Sequence, residues 1–276
     1  MNWTCGLSTG IGYRHPIEQV LPAVAAAGFR VVEMSTAPSH VDLSDLARLR
    51  ALKDRIADLG LRVHSLHAPF GHDVNLTSPD PAQRQQALDR LIKAADVLCE
   101  LNAGGLYVIH PGGEDTRWVW EREARLALSV EGLTSVWSAC QERGLMLVVE
   151  TPLPHLLGGQ PQDFAWILER LPVEGLGACV DTSHCALGGF LYEVLVSLRS
   201  RLVHVQASDN RGHTDDHLPP GDGVIDWARV RSTLEHVRYR GVFMLEVTGD
   251  GDLAGHVARL AAVHIAGQAA PARSQS

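Results

Sequence analysis

Lysine is almost missing from this chain: Lys53 and Lys93 are the only two among 276 residues, and both fall on stretches of helical period. Phosphate contacts dominate nucleic-acid affinity, so this scarcity and a formal net charge of -8 rank nucleic acid low as a partner. They do not exclude it, because arginines can substitute and a local basic groove is compatible with an acidic total. Cysteine is sparse as well. Cys5, Cys99, Cys140, Cys179 and Cys185 are scattered without Cys-x-x-Cys spacing, and an odd number argues against a disulfide framework. No uncharged apolar run approaches the ~20 residues needed to cross a bilayer, and no basic segment followed by an apolar stretch opens the chain. No membrane span or export signal is therefore expected, and the cytoplasm is the expected address. A Gly-x-Gly-x-x-Gly after the first strand and a Gly-Lys-Ser/Thr phosphate loop are both absent, which argues against a doubly wound open sheet.

What is present is a regular alternation. Hydrophobic residues make up 45% of the chain, enough for a large core. Short apolar runs of four to six residues alternate with longer stretches of helical period, the pattern of repeated βα units around a parallel sheet. The runs are Cys5 to Ser8, Arg30 to Met34, Arg62 to Leu66, Leu106 to Ile109, Met146 to Val149, Ala178 to Val180, Leu202 to Val205 and Val242 to Leu245. Helices are predicted near Pro16 to Ala27, Leu43 to Leu59, Pro81 to Leu101, Trp118 to Arg143, Pro161 to Arg170, Leu187 to Leu198, Asp226 to Val237 and Asp252 to Ile265. Helix punctuation agrees: Asp42 or Ser44 can cap the second, Asp80-Pro81 opens the third, and Gly28, Gly60, Gly104 and Gly144 follow carboxyl ends. The fold class expected is α/β, a single-domain (β/α)8 TIM barrel over residues 1–266, with a disordered tail over 267–276.

In such a barrel the active site lies at the carboxyl ends of the strands. The residues there are unusually uniform: His67, His110, Glu150, Asp181 and Glu246 finish the third, fourth, fifth, sixth and eighth runs, and His204 lies within the seventh. Three carboxylates converging on one mouth would repel and raise one another's pKa unless a cation neutralised them. Imidazole and carboxylate together suit a divalent ion, with zinc, manganese, cobalt and iron all compatible.

These residues resemble a known family, the xylose-isomerase-like barrels, which includes sugar and sugar-phosphate isomerases, 3-epimerases, inosose dehydratases and endonuclease IV. Val148-Val149-Glu150-Thr151, Val180-Asp181-Thr182-Ser183-His184, His204-Val205-Gln206 and Leu245-Glu246-Val247 look like the family's metal-bearing strand ends. The resemblance implies that Glu150, Asp181, His204 and Glu246 bind one ion, with open positions for substrate oxygens. It implies that Glu150 and Glu246 are catalytic, removing and returning a proton on carbon through a metal-stabilised enediolate of a small sugar, sugar phosphate or related polyhydroxy carbonyl compound. His67, His110, His184 and Arg211 would bind substrate. Arg211 belongs to Ser208-Asp209-Asn210-Arg211-Gly212, similar to the loop after the seventh strand in the epimerase branch. Glu33 sits where many members carry a supporting acid.

The same resemblance carries alternatives. Endonuclease IV, cutting DNA at abasic sites, holds three zinc ions, and His67, His110, His184, Asp215 and His217 match the further ligands, so all are candidate additional metal positions. Against it, Ala68-Pro69-Phe70-Gly71-His72-Asp73 lacks the aspartate-x-tyrosine element that the endonuclease predicts after His67. A dehydratase shares the isomerase's first step, and a non-catalytic sugar-binding barrel would bind without turnover. A homo-oligomer is open. Trp118 and Trp120 are read as helix packing sooner than as a sugar platform, and His155 as a loop histidine at the active-site end.

Overall fold

Apolar runs long enough for one strand each, separated by helices long enough to return the chain, leave a right-handed parallel crossover as the repeating step. In the computed structural model, which describes residues 3–41, 45–114, 121–249 and 252–269, that step closes into a barrel. The strands are β1 (Cys5–Ser8), β2 (Val31–Ser35), β3 (Arg62–His67), β4 (Leu106–Ile109), β5 (Met146–Glu150), β6 (Leu176–Asp181), β7 (Leu202–Ala207) and β8 (Phe243–Leu245). Each pairs in parallel with its successor, and β8 pairs with β1. The helices are α1 (Ile17–Ala26), α2 (Leu46–Asp58), α3 (Pro81–Leu101), α4 (Arg122–Glu142), α5 (Pro161–Arg170), α6 (Thr182–Leu187), α7 (Leu191–Ser197), α8 (Trp227–His236) and α9 (Leu253–Ala269). The main core lies between sheet and helices, where Leu7, Met34, Leu66, Tyr107, Leu147 and Val180 face outward from their strands.

Several boundaries differ from the sequence expectation, each for a local reason. The helix expected from Leu187 begins five residues earlier, because Asp181 accepts from the His184 N–H at 2.7 Å and starts α6 directly where β6 ends. Gly189, at φ +77, then separates α6 from α7. Helix α2 is capped by Asp45, which accepts from Arg48 N; Asp42 and Ser44 lie outside the described residues, as do Trp118 and Trp120. Helix α9 runs to Ala269, so residues 267–269, assigned to the tail from sequence, are helical; residues 270–276 lie outside the described set.

Inside the barrel the side chains form layers. At the amino end Val31, Val242 and Met244 pack together, and Val108, Val148 and Cys179 pack above them. Two irregularities in register then admit polar groups. Between β2 and β3, Val32 pairs with Val63 and Glu33 with Ser65, leaving His64 as the extra residue of β3. Between β6 and β7, Ala178 pairs with Leu202 and Cys179 with His204, leaving Val203 extra. The buried Glu33 carboxylate accepts from Ser65 Oγ at 2.7 Å, from His204 Nε2 at 3.0 Å and from Gln206 Nε2 at 3.0 Å, while the His64 and His204 rings lie 5.4 Å apart.

Burial, with the neighbouring His204, brings the His64 imidazole down to about 4 from an ordinary 6.5. On acidification the unfolded chain takes up this proton first. Stability from this group is therefore complete above about pH 6.5 and falls as pH drops toward 4, by at most about 3 kcal/mol. Chemical denaturation at pH 7 and pH 4.5 should give a smaller acid loss for His64→Gln than for the wild type. Equal losses would show that the buried ring is not held neutral.

Candidate functional site

Glu150, the last residue of β5, is the hub of the barrel mouth and is 1% exposed. Its Oε2 accepts from His67 Nε2 at 3.1 Å; its Oε1 lies 3.3 Å from His110 Nε2 and 3.5 Å from His184 Nδ1. The histidines arrive from the end of β3, from just after β4 and from the first turn of α6, so the contact is a consequence of barrel closure. Burial alone would raise the Glu150 pKa, but the charges and hydrogen bonds of His110 and His67 hold it well below the carboxylate range. The reciprocal effect appears on His67. Burial disfavours its charge, and the Glu150 carboxylate overrides this, bringing the ring up to about 10. The His67 Nδ1–H donates to the Ala68 carbonyl at 2.8 Å, which fixes the ring so that Nε2 faces the cavity.

A second group forms around Asp215, in the loop between β7 and α8. Its Oδ2 accepts from His184 Nε2 at 3.2 Å and from His217 Nε2 at 2.9 Å, and its Oδ1 accepts from Ser183 Oγ at 2.7 Å. Burial raises the Asp215 pKa, but the two imidazoles outweigh it and leave the carboxyl far below its usual range. His217, opposed by burial, is brought up to about 10 by Asp215. Its backbone takes φ +47, an uncommon conformation for a residue with a side chain, held by the His217 Nδ1–H donating to the Glu246 carbonyl and by Thr248 N donating to the His217 carbonyl.

Glu246, immediately after β8, has the opposite environment to Glu150. Burial and then the Glu150 charge push its carboxyl well above the usual range. Asp181 is likewise raised, first by burial, and its Oδ2 is buried without a partner while its Oδ1 caps α6. Among the described residues, three sets offer ligand atoms within 4.8 Å of one another: His67, His110 and Glu150; Glu150, Asp181 and His184; and His184, Asp215 and His217. Glu150 and His184 are shared, so the three sets form a continuous row.

A cavity of about 380 Å³ covers this row, within the range of small-molecule sites. The structure thus brings His67, His110, Glu150, His184, Asp215, His217 and Glu246 to one cavity, with Asp181 bordering it through Glu150 and His184. Two expected residues are placed elsewhere. His204 is fully buried beneath the mouth, with Nε2 on Glu33 and Nδ1 without a partner. It stands one strand step below Gln206, which is in register with Asp181. Arg211 is 66% exposed along its side chain, pairs with Asp216 Oδ1 at 3.3 Å and does not line the cavity. Phe70, His72, Glu114, Leu153 and Leu156 line it without having been singled out by sequence, and His155 joins them. Phe70 follows His67 by three residues and sets its ring edge-on to that imidazole at 5.2 Å; its place just past a strand end was the only signal available.

The chain is 27% identical over 187 residues to the uncharacterized protein MJ1311 of Methanocaldococcus jannaschii, an alignment spanning 66% of this chain and 63% of that protein, so only part of that protein's length is matched. It is 26% identical over 231 residues to the L-ribulose-5-phosphate 3-epimerase UlaE of Shigella flexneri, covering 80% of this chain and 78% of the enzyme. Among solved structures, a D-tagatose 3-epimerase-like protein superposes with a TM-score of 0.81 at 22% identity, over 97% of this chain and all of that one, a likeness of fold. The family described as xylose isomerase-like TIM barrel matches residues 21–268. The closed parallel barrel, the row of ligand-type residues at its carboxyl end and this match over most of the chain make the protein a member of the xylose isomerase-like TIM barrel family.

Proposed function

We propose that this protein is an isomerase or epimerase of a small polyhydroxylated carbonyl compound and works with one divalent ion. The observation that carries the reading is the pair Glu150 and Glu246: two carboxyl groups from β5 and β8 face one cavity, and their surroundings drive their proton affinities in opposite directions. The kinship supports the same reading, since the L-ribulose-5-phosphate 3-epimerase and the D-tagatose 3-epimerase-like protein compared above carry the names of sugar epimerases.

The residues fit an ion. Asp181 Oδ2 is a buried carboxylate oxygen with no partner, beside Glu150 and below Glu246 in a space where every neighbouring acid raises its cost of charge. Glu150, Asp181 and His184 would hold the ion, with His67 and His110 beside Glu150; Glu246, outside each of the three ligand sets, would have to move closer to join. His204, expected as a fourth ligand, would have to leave Glu33 to join. When bound, the ion supplies positive charge that polarises a carbonyl and the adjacent hydroxyl.

The chain's own groups do the rest. Glu150, kept charged by His67 and His110, takes the proton from the carbon beside the carbonyl. Glu246, whose proton affinity is raised by burial and by Glu150, returns a proton from β8; in the reverse direction the two exchange roles. His110 offers its ring to substrate hydroxyls, while His184, with Nδ1 on the Thr151 carbonyl at 2.9 Å and Nε2 on Asp215, would reach one only by giving up one of these bonds; Phe70, Leu153 and Leu156 provide an apolar wall that excludes water and accepts the C–H face of a sugar. Loss of water from an inosose-like ketone would begin with the same proton removal.

One observation favours a second reading. The three ligand sets that share Glu150 and His184 could accept a row of ions, the arrangement a phosphodiesterase of the endonuclease IV type needs to clamp attacking and leaving oxygens.

Glu246→Gln should keep the barrel's circular dichroism and lower solvent-deuterium incorporation into a ketose substrate by at least about 10²-fold. Undiminished incorporation would remove Glu246 from the chemistry. Elemental analysis should find close to one divalent ion per chain, with activity lost on chelation and restored by a divalent ion. Three ions per chain together with cleavage of an abasic duplex would replace the isomerase by the second reading.

A further inference from the structure

Two of the three members of the ligand set His184, Asp215 and His217 sit on the loop between β7 and α8, the kind of segment that often closes over a substrate only after binding. Here the loop is tied to one buried side chain that no catalytic step uses. Asp209 is fully buried, and each of its carboxylate oxygens accepts two N–H groups. Oδ1 accepts from Asn210 N at 2.9 Å and Ile225 N at 3.1 Å; Oδ2 accepts from Gly221 N at 2.9 Å and from the Trp227 indole at 2.7 Å. Its backbone also exchanges both hydrogen bonds with Leu218. One carboxylate thus gathers the start of the loop, its far turn and the first residue of α8.

The tie continues to the site. Asn210 Nδ2 donates to the Ser183 carbonyl and to Ser183 Oγ, and Ser183 Oγ donates to Asp215 Oδ1. Asp215 in turn accepts from His184 and His217. Two glycines fit the clamp. Gly221, at φ +98, turns its N–H toward Oδ2. A Cβ on Gly223 would lie 2.2 Å from Asp209 Oδ1 and 2.2 Å from the Asn210 carbonyl, so only a residue without a side chain lets the loop close on the carboxylate.

We propose that Asp209 is a positioning residue that makes this loop a preformed wall of the cavity and not a lid, holding Asp215 and His217 against His184 before anything binds. Its catalytic consequence rests on the isomerase reading above; its structural consequence does not.

Asp209→Asn is the direct test, because an amide has one oxygen and in either orientation turns an NH2 toward two of the four donors. Gly223→Ala is the second, pressing a methyl on the same carboxylate. In the ion-free protein, hydrogen exchange at the Asn210, Gly221 and Ile225 amides should accelerate at least about tenfold in both variants, with the strand amides unchanged. The His184 and His217 ring signals in nitrogen-correlated NMR should move together. With a ketose, kcat should fall at least about tenfold with KM changed less than about threefold, because a misplaced wall spoils alignment more than capture. Unchanged exchange and ring signals would overturn the proposal, as would loss of protection at the strands along with the loop, which would mark Asp209 as a general stability residue. A wild-type chain that turns over no ketose would count against the isomerase reading, while exchange and ring signals would still decide the role of Asp209.

Discussion

Buried negative charge organises the upper end of this barrel. Glu150, Asp181, Asp215 and Glu246 bring carboxyl groups into a region largely shielded from water, where an unpaired charge is costly and two like charges are costlier. The chain answers in three ways. Imidazoles from β3, β4 and α6 take the Glu150 side, His184 and His217 take Asp215, and burial raises the proton affinity of Glu246. Of these four carboxyl groups, Asp181 keeps a buried oxygen, Oδ2, with no hydrogen-bond partner among the described residues. The divalent ion proposed above would offset this concentration of negative charge.

The lower polar layer has a different logic. Glu33 is surrounded by Ser65, His204 and Gln206, all donors, and burial is offset chiefly by the hydrogen bond from His204. Both oxygens of Glu33 are satisfied within the protein, while His204 Nδ1 and His64 Nε2 are buried without a partner. The layer lies beside Val108, Val148 and Cys179, since Cys179 is in register with His204. The two bulges that admit it, at His64 and Val203, lie on β3 and β7, the strands that supply His67 and the loop of Asp209. Register in the sheet and geometry in the site are therefore set by the same residues.

Much of this was legible in the chain. The eight apolar runs matched eight strands because strand burial is recorded locally, residue by residue, and the ends of those runs named His67, His110, Glu150, Asp181 and Glu246. The start of α6 was not legible, since the Asp181 cap lies inside what reads as a strand end. His204 was misplaced in height because its run gives two inward positions, His204 and Gln206, and a bulge at Val203 decides which one stands level with Asp181. Arg211 looked equivalent to a substrate-binding arginine until Asp216, five residues on, was found to engage both its guanidinium and its backbone N–H.

The sequence by itself determined the parallel sheet and the set of residues at its strand ends, because apolar runs alternate with helical periods; the absent dinucleotide and phosphate-loop motifs and the family resemblance favoured the closed barrel, and closure carries every strand end to one face. Only the tertiary structure decided who meets whom there. Which carboxylate shares a proton donor with which imidazole, which histidine is a wall and which a hidden brace, and how one aspartate fixes a loop of nearly twenty residues all depend on contacts between strands far apart in the chain. Those contacts are set by register and loop closure, for which a local pattern of hydrophobicity carries no signal.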